Sequence, residues 1–293
     1  MKFLIISRGQ SEAIAYRLQK EGADVCLIKH HKHPTVFDND LRLVDDSHSA
    51  SGRVVVILEP GLGKLADVVA KTYPVFGQSA ICDELLDDDY RKEVMARLGI
   101  KCRDNQSGLG IFGGAIWNGQ DFISGSFFSF LMKDTYLAMI CHQNASPRLF
   151  QATFDKMREF LLAKKASANF FWVEAVISRA DTNPYVVGVY SGLSPAIANM
   201  VSLSGGKLST MIDCAVNRKP IGFDQQSYCV SVTKPGVGSN GAWLWNDKHS
   251  LIEKAQSAYA LKEKFAPILG DMEIDEMEHQ VVKFKLYKKI RYL

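Results

Sequence analysis

The sequence predicts a parallel α/β domain, then an antiparallel α+β domain, then a small third unit. Three observations carry this reading. Residues 2–6, 25–28, 53–58 and 74–77 are short apolar runs that alternate with helical stretches, the order that builds a doubly wound parallel sheet. After Gly99 the texture changes, and strand-length runs follow one another through short turns, as antiparallel sheets do. A further strand at 228–233 is cut off by Lys234-Pro235-Gly236. The expected division is 1–104, 105–219 and 220–293.

In chain order, residues 2–6 form a strand and Ser7-Arg8-Gly9-Gln10-Ser11 a turn. Residues 12–21 have helical periodicity through Ala13, Ile14, Tyr16 and Leu18, and Gly22 closes that helix. With the strand at 25–28 this makes a β-α-β unit with a right-handed crossover. A dinucleotide fingerprint needs three spaced glycines, but Gly9 stands alone here, so a plain β-α-β turn is expected. His30, His31 and His33 follow with no Cys, Asp or Glu at ligand spacing, and a solvated loop is weighed there against a metal site. RVVVIL at 53–58 reads as a strand buried on both faces. Helices are expected at 62–72, 79–86 and 89–98.

The stretch GIFGGAIWNG at 110–119 holds four glycines and is placed in no element. Residues 122–130 and 135–141 read as an antiparallel pair with Lys133-Asp134 at the turn. Residues 147–165 form an amphipathic helix with Phe150, Phe154, Met157, Phe160 and Leu161 on one face. A hairpin follows: a strand at 170–178, a turn through Arg179-Ala180-Asp181, and a strand from Tyr185 to Tyr190. Ser194-Pro195 then opens a helix, serine suiting the N-cap and proline the first turn. A helix is expected at 247–265 and a strand with one basic face at 280–293.

Composition bounds the function. A 293-residue chain with 47% hydrophobic and 23% charged residues is an ordinary globular protein. A net charge of +3 gives no case for nucleic acid, and no apolar run reaches the ~18 residues of a membrane span. The six cysteines are scattered without a C-x-x-C pair and read as reduced thiols. The N-terminus lacks a secretory leader pattern, so a cytoplasmic location is expected.

Four segments in order now carry a family likeness. MKFLIISRGQSEAIAYRL at 1–18, PVFGQSAICDELLDDDYRKEVMARLGI at 74–100, the hairpin and helix of 170–203, and YCVSVTKPGV at 228–237 together resemble phosphoribosylamine–glycine ligase, an ATP-grasp enzyme of purine synthesis. The resemblance implies an ATP-grasp-like fold with ATP and Mg²⁺ as cofactors if the family's activity persists. It also implies two metal ligands, a Glu and an Asn, on alternate positions of the hairpin strand. Gly188 and Tyr190 stand there instead. The family's lysine-bearing ATP-clamp subdomain falls where only residues 101–107 remain, and its glycine-rich loop falls where the stretch from His142 to Ser146 passes straight into Pro147.

From these departures the sequence reading expects a degenerate protein without ligase activity, acting as a binding or assembly module with no cofactor and no metal. Its alternative is an ATP-dependent carboxylate–amine ligase of purine metabolism with an altered active site. A second alternative is polyanion or nucleic-acid binding through the basic C-terminus. For altered chemistry the candidate groups are His142, Glu174, Arg179 and Asp181, with Asp213 further on. Glu174 lies mid-strand in FFWVEAVIS, sharing a face with Trp172 and Val176. A homodimer or a protein partner is expected, using Trp117, Phe122, Phe127, Phe128, Phe130 and Tyr136 or the strand at 280–293.

Overall fold

The computed structural model describes residues 1–9, 11–30, 40–45, 50–102, 108–123, 128–132, 136–141, 148–178, 184–193, 207–221, 228–233 and 250–255. Two sheets organise them. The first is parallel, in the order β3-β2-β1-β4-β5, with β1 (Lys2–Ser7) at its centre, β2 at Asp24–Lys29, β3 at Arg42–Leu43, β4 at Val54–Ile57 and β5 at Val75–Gly77. The four strands expected from sequence are present, and β3 is added at the edge. Both faces of β1 are covered, which is why its sequence is a continuous apolar run rather than an alternation. Phe3 and Ile5 pack with Ile14, Ala15 and Leu18 of α1 (Glu12–Lys20). Leu4 and Ile6 pack with Leu62 and Ala66 at α2 (Gly63–Val69).

The second sheet has seven strands in the order β10-β9-β6-β7-β8-β11-β12, every adjacent pair antiparallel. They are β6 (Gly108–Trp117), β7 (Phe128–Met132), β8 (Tyr136–Cys141), β9 (Asn169–Ser178), β10 (Pro184–Ser191), β11 (Tyr228–Thr233) and β12 (Ser250–Ala255). The glycine-rich stretch is therefore a strand, β6, and its glycines have a packing reason. A Cβ on Gly113 would lie 2.2 Å from the Phe150 ring, and one on Gly114 would lie 2.3 Å from the Phe170 ring. The paired glycines let one phenylalanine settle on each face of the sheet. Phe150, Phe154, Met157 and Leu161 form the buried stripe of α5 (Arg148–Ala163), as expected from their spacing. They pack against Phe171, Val173 and Ala175, together with residues of α3 (Ala80–Glu84) and α4 (Asp88–Arg97).

The two sheets meet at β5 and β9. Gly77 N–H donates to the Ala168 carbonyl at 2.7 Å, and Phe76 bridges Ala168 in parallel. Gly77 has φ of +123°, and a Cβ there would lie 1.9 Å from the Ile57 carbonyl oxygen, so glycine is required at this junction. Leu208, Met211, Ile212 and Ala215 of α6 (Leu208–Val216) fill the space beside Phe3, Phe76 and Phe170.

Three expectations are corrected. The helix placed at 247–265 is, over Ser250–Ala255, the strand β12 paired with β11. A short apolar run does not distinguish the two by period, and pairing with β11 decides it. The strand placed at 122–130 is, over the described residues, the strand β7 at Phe128–Met132 and does not include Phe122. Phe122 instead forms an isolated bridge to Trp117 and packs against Phe154 and Phe171. Third, Trp117 and Phe122 are buried in the core, so neither is available to a second subunit. Strands β11 and β12, from the region read as a small third unit, extend the second sheet. The helix at Ser194-Pro195 and the basic strand at 280–293 lie outside the described residues.

Candidate functional site

The parallel sheet has its topological switch point between β1 and β4, where open α/β sheets take ligands at the carboxyl ends of their strands. Here that place is occupied by the chain itself. The buried Glu59 carboxylate accepts from Ser7 Oγ at 2.7 Å, Arg8 N–H at 2.7 Å and Ser11 N–H at 2.9 Å. These are the backbone donors that a phosphate would use at the start of α1. The plain turn expected around Gly9 is thus a turn closed by an internal anion. Among His30, His31 and His33, only His30 is described, its N–H donating to the Ser7 carbonyl. No group of three or more His, Cys, Asp or Glu able to hold a metal occurs among the described residues.

The second place is the face of the β6-β9-β10 ribbon opposite α5. Register puts Phe112, Glu174 and Gly188 side by side across three strands, and Gly114, Trp172 and Tyr190 in the next row. The rings make a continuous series. Phe112 and Trp172 are 5.7 Å apart and tilted, Trp172 and Tyr190 stack at 4.3 Å, and the Arg91 guanidinium of α4 lies over the outer face of Tyr190 at 4.5 Å. Arg91 is buried, bonded to the Leu85 carbonyl at 3.0 Å and paired with Asp88. The Tyr190 hydroxyl donates to Glu174 Oε2 at 3.3 Å. Burial first, then the Glu174 charge, pushes the Tyr190 phenol above its ordinary range against the opposing pull of Arg91. It therefore stays protonated and remains a donor.

Tyr190 also covers its strand neighbour. A Cβ on Gly188 would lie 2.6 Å from the Tyr190 hydroxyl, and the ladder shifts register between Val186 and Gly188. Magnesium needs several oxygens in near-octahedral order, with one or two carboxylates beside phosphates. Among the described residues this face offers one carboxylate, Glu174, which already accepts the Tyr190 hydrogen bond and is set close to the Tyr190–Arg91 stack. The residues present do not fit the ion that the family resemblance implies.

Among the candidate groups, the structure places Glu174 on this face with Trp172, as strand alternation predicted. Asp213 is elsewhere, on α6, bonded to Asn217 at 2.9 Å and Lys219 at 3.0 Å. His142, Arg179 and Asp181 lie outside the described residues. Sequence reading missed Arg91, because an arginine in DDDYRKEV reads as a solvated helix face. It also missed Glu59, whose role depends on loops far apart in sequence.

A cavity of about 450 Å³ lies on the other side of the ribbon, lined by Gly99, Lys101, Thr153, Lys156, Tyr185 and Val186 among others. Lys156 there donates to the Gly99 carbonyl at 2.6 Å.

No family model matches the chain, and no curated protein matches it. Solved structures do. N5-carboxyaminoimidazole synthetase from Staphylococcus aureus aligns at 10% identity and TM-score 0.61, over 92% of this chain and 97% of that chain. The Aspergillus clavatus N5-carboxyaminoimidazole synthase, in complex with ADP and 5-aminoimidazole ribonucleotide, aligns at 10% identity and TM-score 0.63, over 94% and 98%. Phosphoribosylamine–glycine ligase from Thermotoga maritima aligns at 12% identity and TM-score 0.62, over 90% and 95%. At these identities the likeness is one of fold. The chain has the fold of these enzymes, and the ATP-grasp-like resemblance drawn from its sequence holds at that level.

Proposed function

We propose that the chain is an ATP-dependent carboxylate–amine ligase of the purine-ligase type, with an active site altered on β10. The observation that carries this is the fold likeness, which covers at least nine-tenths of both partners and includes an enzyme holding ADP and an aminoimidazole ribonucleotide. In such a reaction the terminal phosphoryl of ATP passes to a carboxylate oxygen and ADP leaves. The amine then attacks the acyl carbon and phosphate leaves. This reading reverses the ranking drawn from sequence, where a module without activity came first. That reading keeps one specific support, the absence of oxygen ligands at Gly188 and of an amide or carboxylate at Tyr190.

The test is ADP formation from ATP with two acceptor pairs, bicarbonate with 5-aminoimidazole ribonucleotide and glycine with phosphoribosylamine. Acceptor-dependent ADP release in step with product supports the ligase. Nucleotide binding with no release under any pair supports the binding module. No nucleotide binding at all refutes both.

A further inference from the structure

We propose that Tyr190 and Glu174, backed by Arg91, fill the place where a divalent cation would link β10 to a nucleotide, so that nucleotide bound on this face is held without a protein-bound metal. The proposal rests on the ligase-type reading for its nucleotide, but its geometry stands apart from it. Three features point the same way. The Tyr190 ring is stacked on Trp172 at 4.3 Å and its outer face carries Arg91 at 4.5 Å, which fixes the ring between two planar groups. Its hydroxyl reaches across to the carboxylate on the neighbouring strand at 3.3 Å and engages one of its two oxygens. The same hydroxyl stands 2.6 Å from where a side chain at position 188 would begin, so no ligand can be presented there while the ring stays.

The first experiment uses Mn²⁺ alone, followed by its electron paramagnetic resonance signal in the full chain. The wild type is expected to leave the free-ion signal unchanged. The double variant Gly188→Glu/Tyr190→Asn, which clears the ring and supplies two oxygen ligands at alternate positions, is expected to bind Mn²⁺ at least about tenfold more tightly than the wild type. Mn²⁺ binding by the wild type that is lost in Glu174→Gln would overturn the proposal. That arm needs no remodelled strand, so a double variant that fails to fold does not protect the idea.

The second experiment measures ADP affinity of the wild type by equilibrium dialysis, in Mg²⁺ and in EDTA. Equal affinity in the two media, to within about threefold, is expected, since no protein ligand gains or loses an ion. A gain of about tenfold or more in Mg²⁺ overturns the proposal. Absence of ADP binding in both media sinks the ligase reading, and the Mn²⁺ arm then decides this one.

Discussion

Replacing Gly113 by alanine tests how the platform of the site is built. The added methyl would stand 2.2, 2.5 and 2.6 Å from three atoms of the Phe150 ring. Carbon atoms in contact prefer about 3.5–4.0 Å, so the ring or the strand must give by more than about 1 Å. Phe150 is fully buried and walled by the α5 and β9 side chains of its cluster, so it cannot swing into solvent, and α5 must shift. Overpacking of this kind costs about 1–3 kcal/mol. Against it, alanine loses less backbone entropy on folding than glycine, a gain of up to about 1 kcal/mol. The net expectation is a loss of about 1–2 kcal/mol, or roughly 2–8 °C in thermal midpoint. Circular dichroism melts of Gly113→Ala, Phe150→Leu and the pair would measure it. The double variant should be more stable than the sum of the single losses, because the smaller side chain makes room for the methyl. Stability of Gly113→Ala at or above wild type, or strict additivity in the pair, would refute the close-packing argument.

Two further outcomes follow from titrating groups. Burial raises the Cys82 thiol above its ordinary range despite bonds from Ser79 and Asn169, and partial burial with the Asp213 charge also raises Cys214, so in native protein iodoacetamide should modify the partly exposed Cys102 first, Cys214 more slowly, and spare the fully buried Cys82 until the chain is unfolded; mass spectrometry of the peptides reads this. The hydrogen bond from Arg53 at 2.8 Å lowers the Asp24 carboxyl below its usual value. A carboxylate depressed in the folded state stabilises above its unfolded pKa and loses that contribution as pH falls through the folded pKa. Asp24→Asn should therefore cost a little at pH 7, under about 1 kcal/mol for so exposed a carboxylate, and the gap to wild type should close below about pH 4. A gap that widened in acid would contradict the assignment.

How much of this was legible depended on the range of the signal. The parallel sheet was readable because β1 and β4 are apolar runs buried on both faces, and α5 because Phe150, Phe154, Met157 and Leu161 recur on one stripe. Glu174 was found by strand alternation, which is also local. β6 was not read as a strand, since glycines weaken every local strand signal and their reason is two phenylalanines at positions 150 and 170. β12 was read as a helix because its partner, β11, is visible only once the sheet is assembled. Arg91 escaped because its contact with Tyr190 spans 99 positions (190 less 91), and composition carries no such information.

The Tyr190–Glu174 bond has counterparts elsewhere in the fold. Helix starts expose N–H groups that attract anions, and at four of them a side-chain carboxylate from another part of the chain takes such a group; at α3 it is Asp67, accepting from Ala80 N–H at 3.1 Å. Glu59 does so at α1. Asp83 does so at α2, accepting from Gly61 N–H at 2.8 Å and Gly63 N–H at 2.7 Å. Glu21 does so at α6, accepting from Leu208 N–H at 3.0 Å and Ser209 N–H at 2.8 Å. Each bond satisfies backbone donors at a helix start, and each ties two segments separated in sequence. The same bonds make these termini poor places for a phosphate, because an incoming anion would have to displace a carboxylate already in position. The ribbon of β6, β9 and β10 differs. Its Phe112, Trp172 and Glu174 side chains are only partly buried, and its hydrogen bond runs between a phenol and a carboxylate at 3.3 Å rather than between a carboxylate and three backbone or hydroxyl donors at 2.7–2.9 Å. The crevice of the first sheet is thus closed by an internal carboxylate, while this face of the second sheet stays partly uncovered among the described residues.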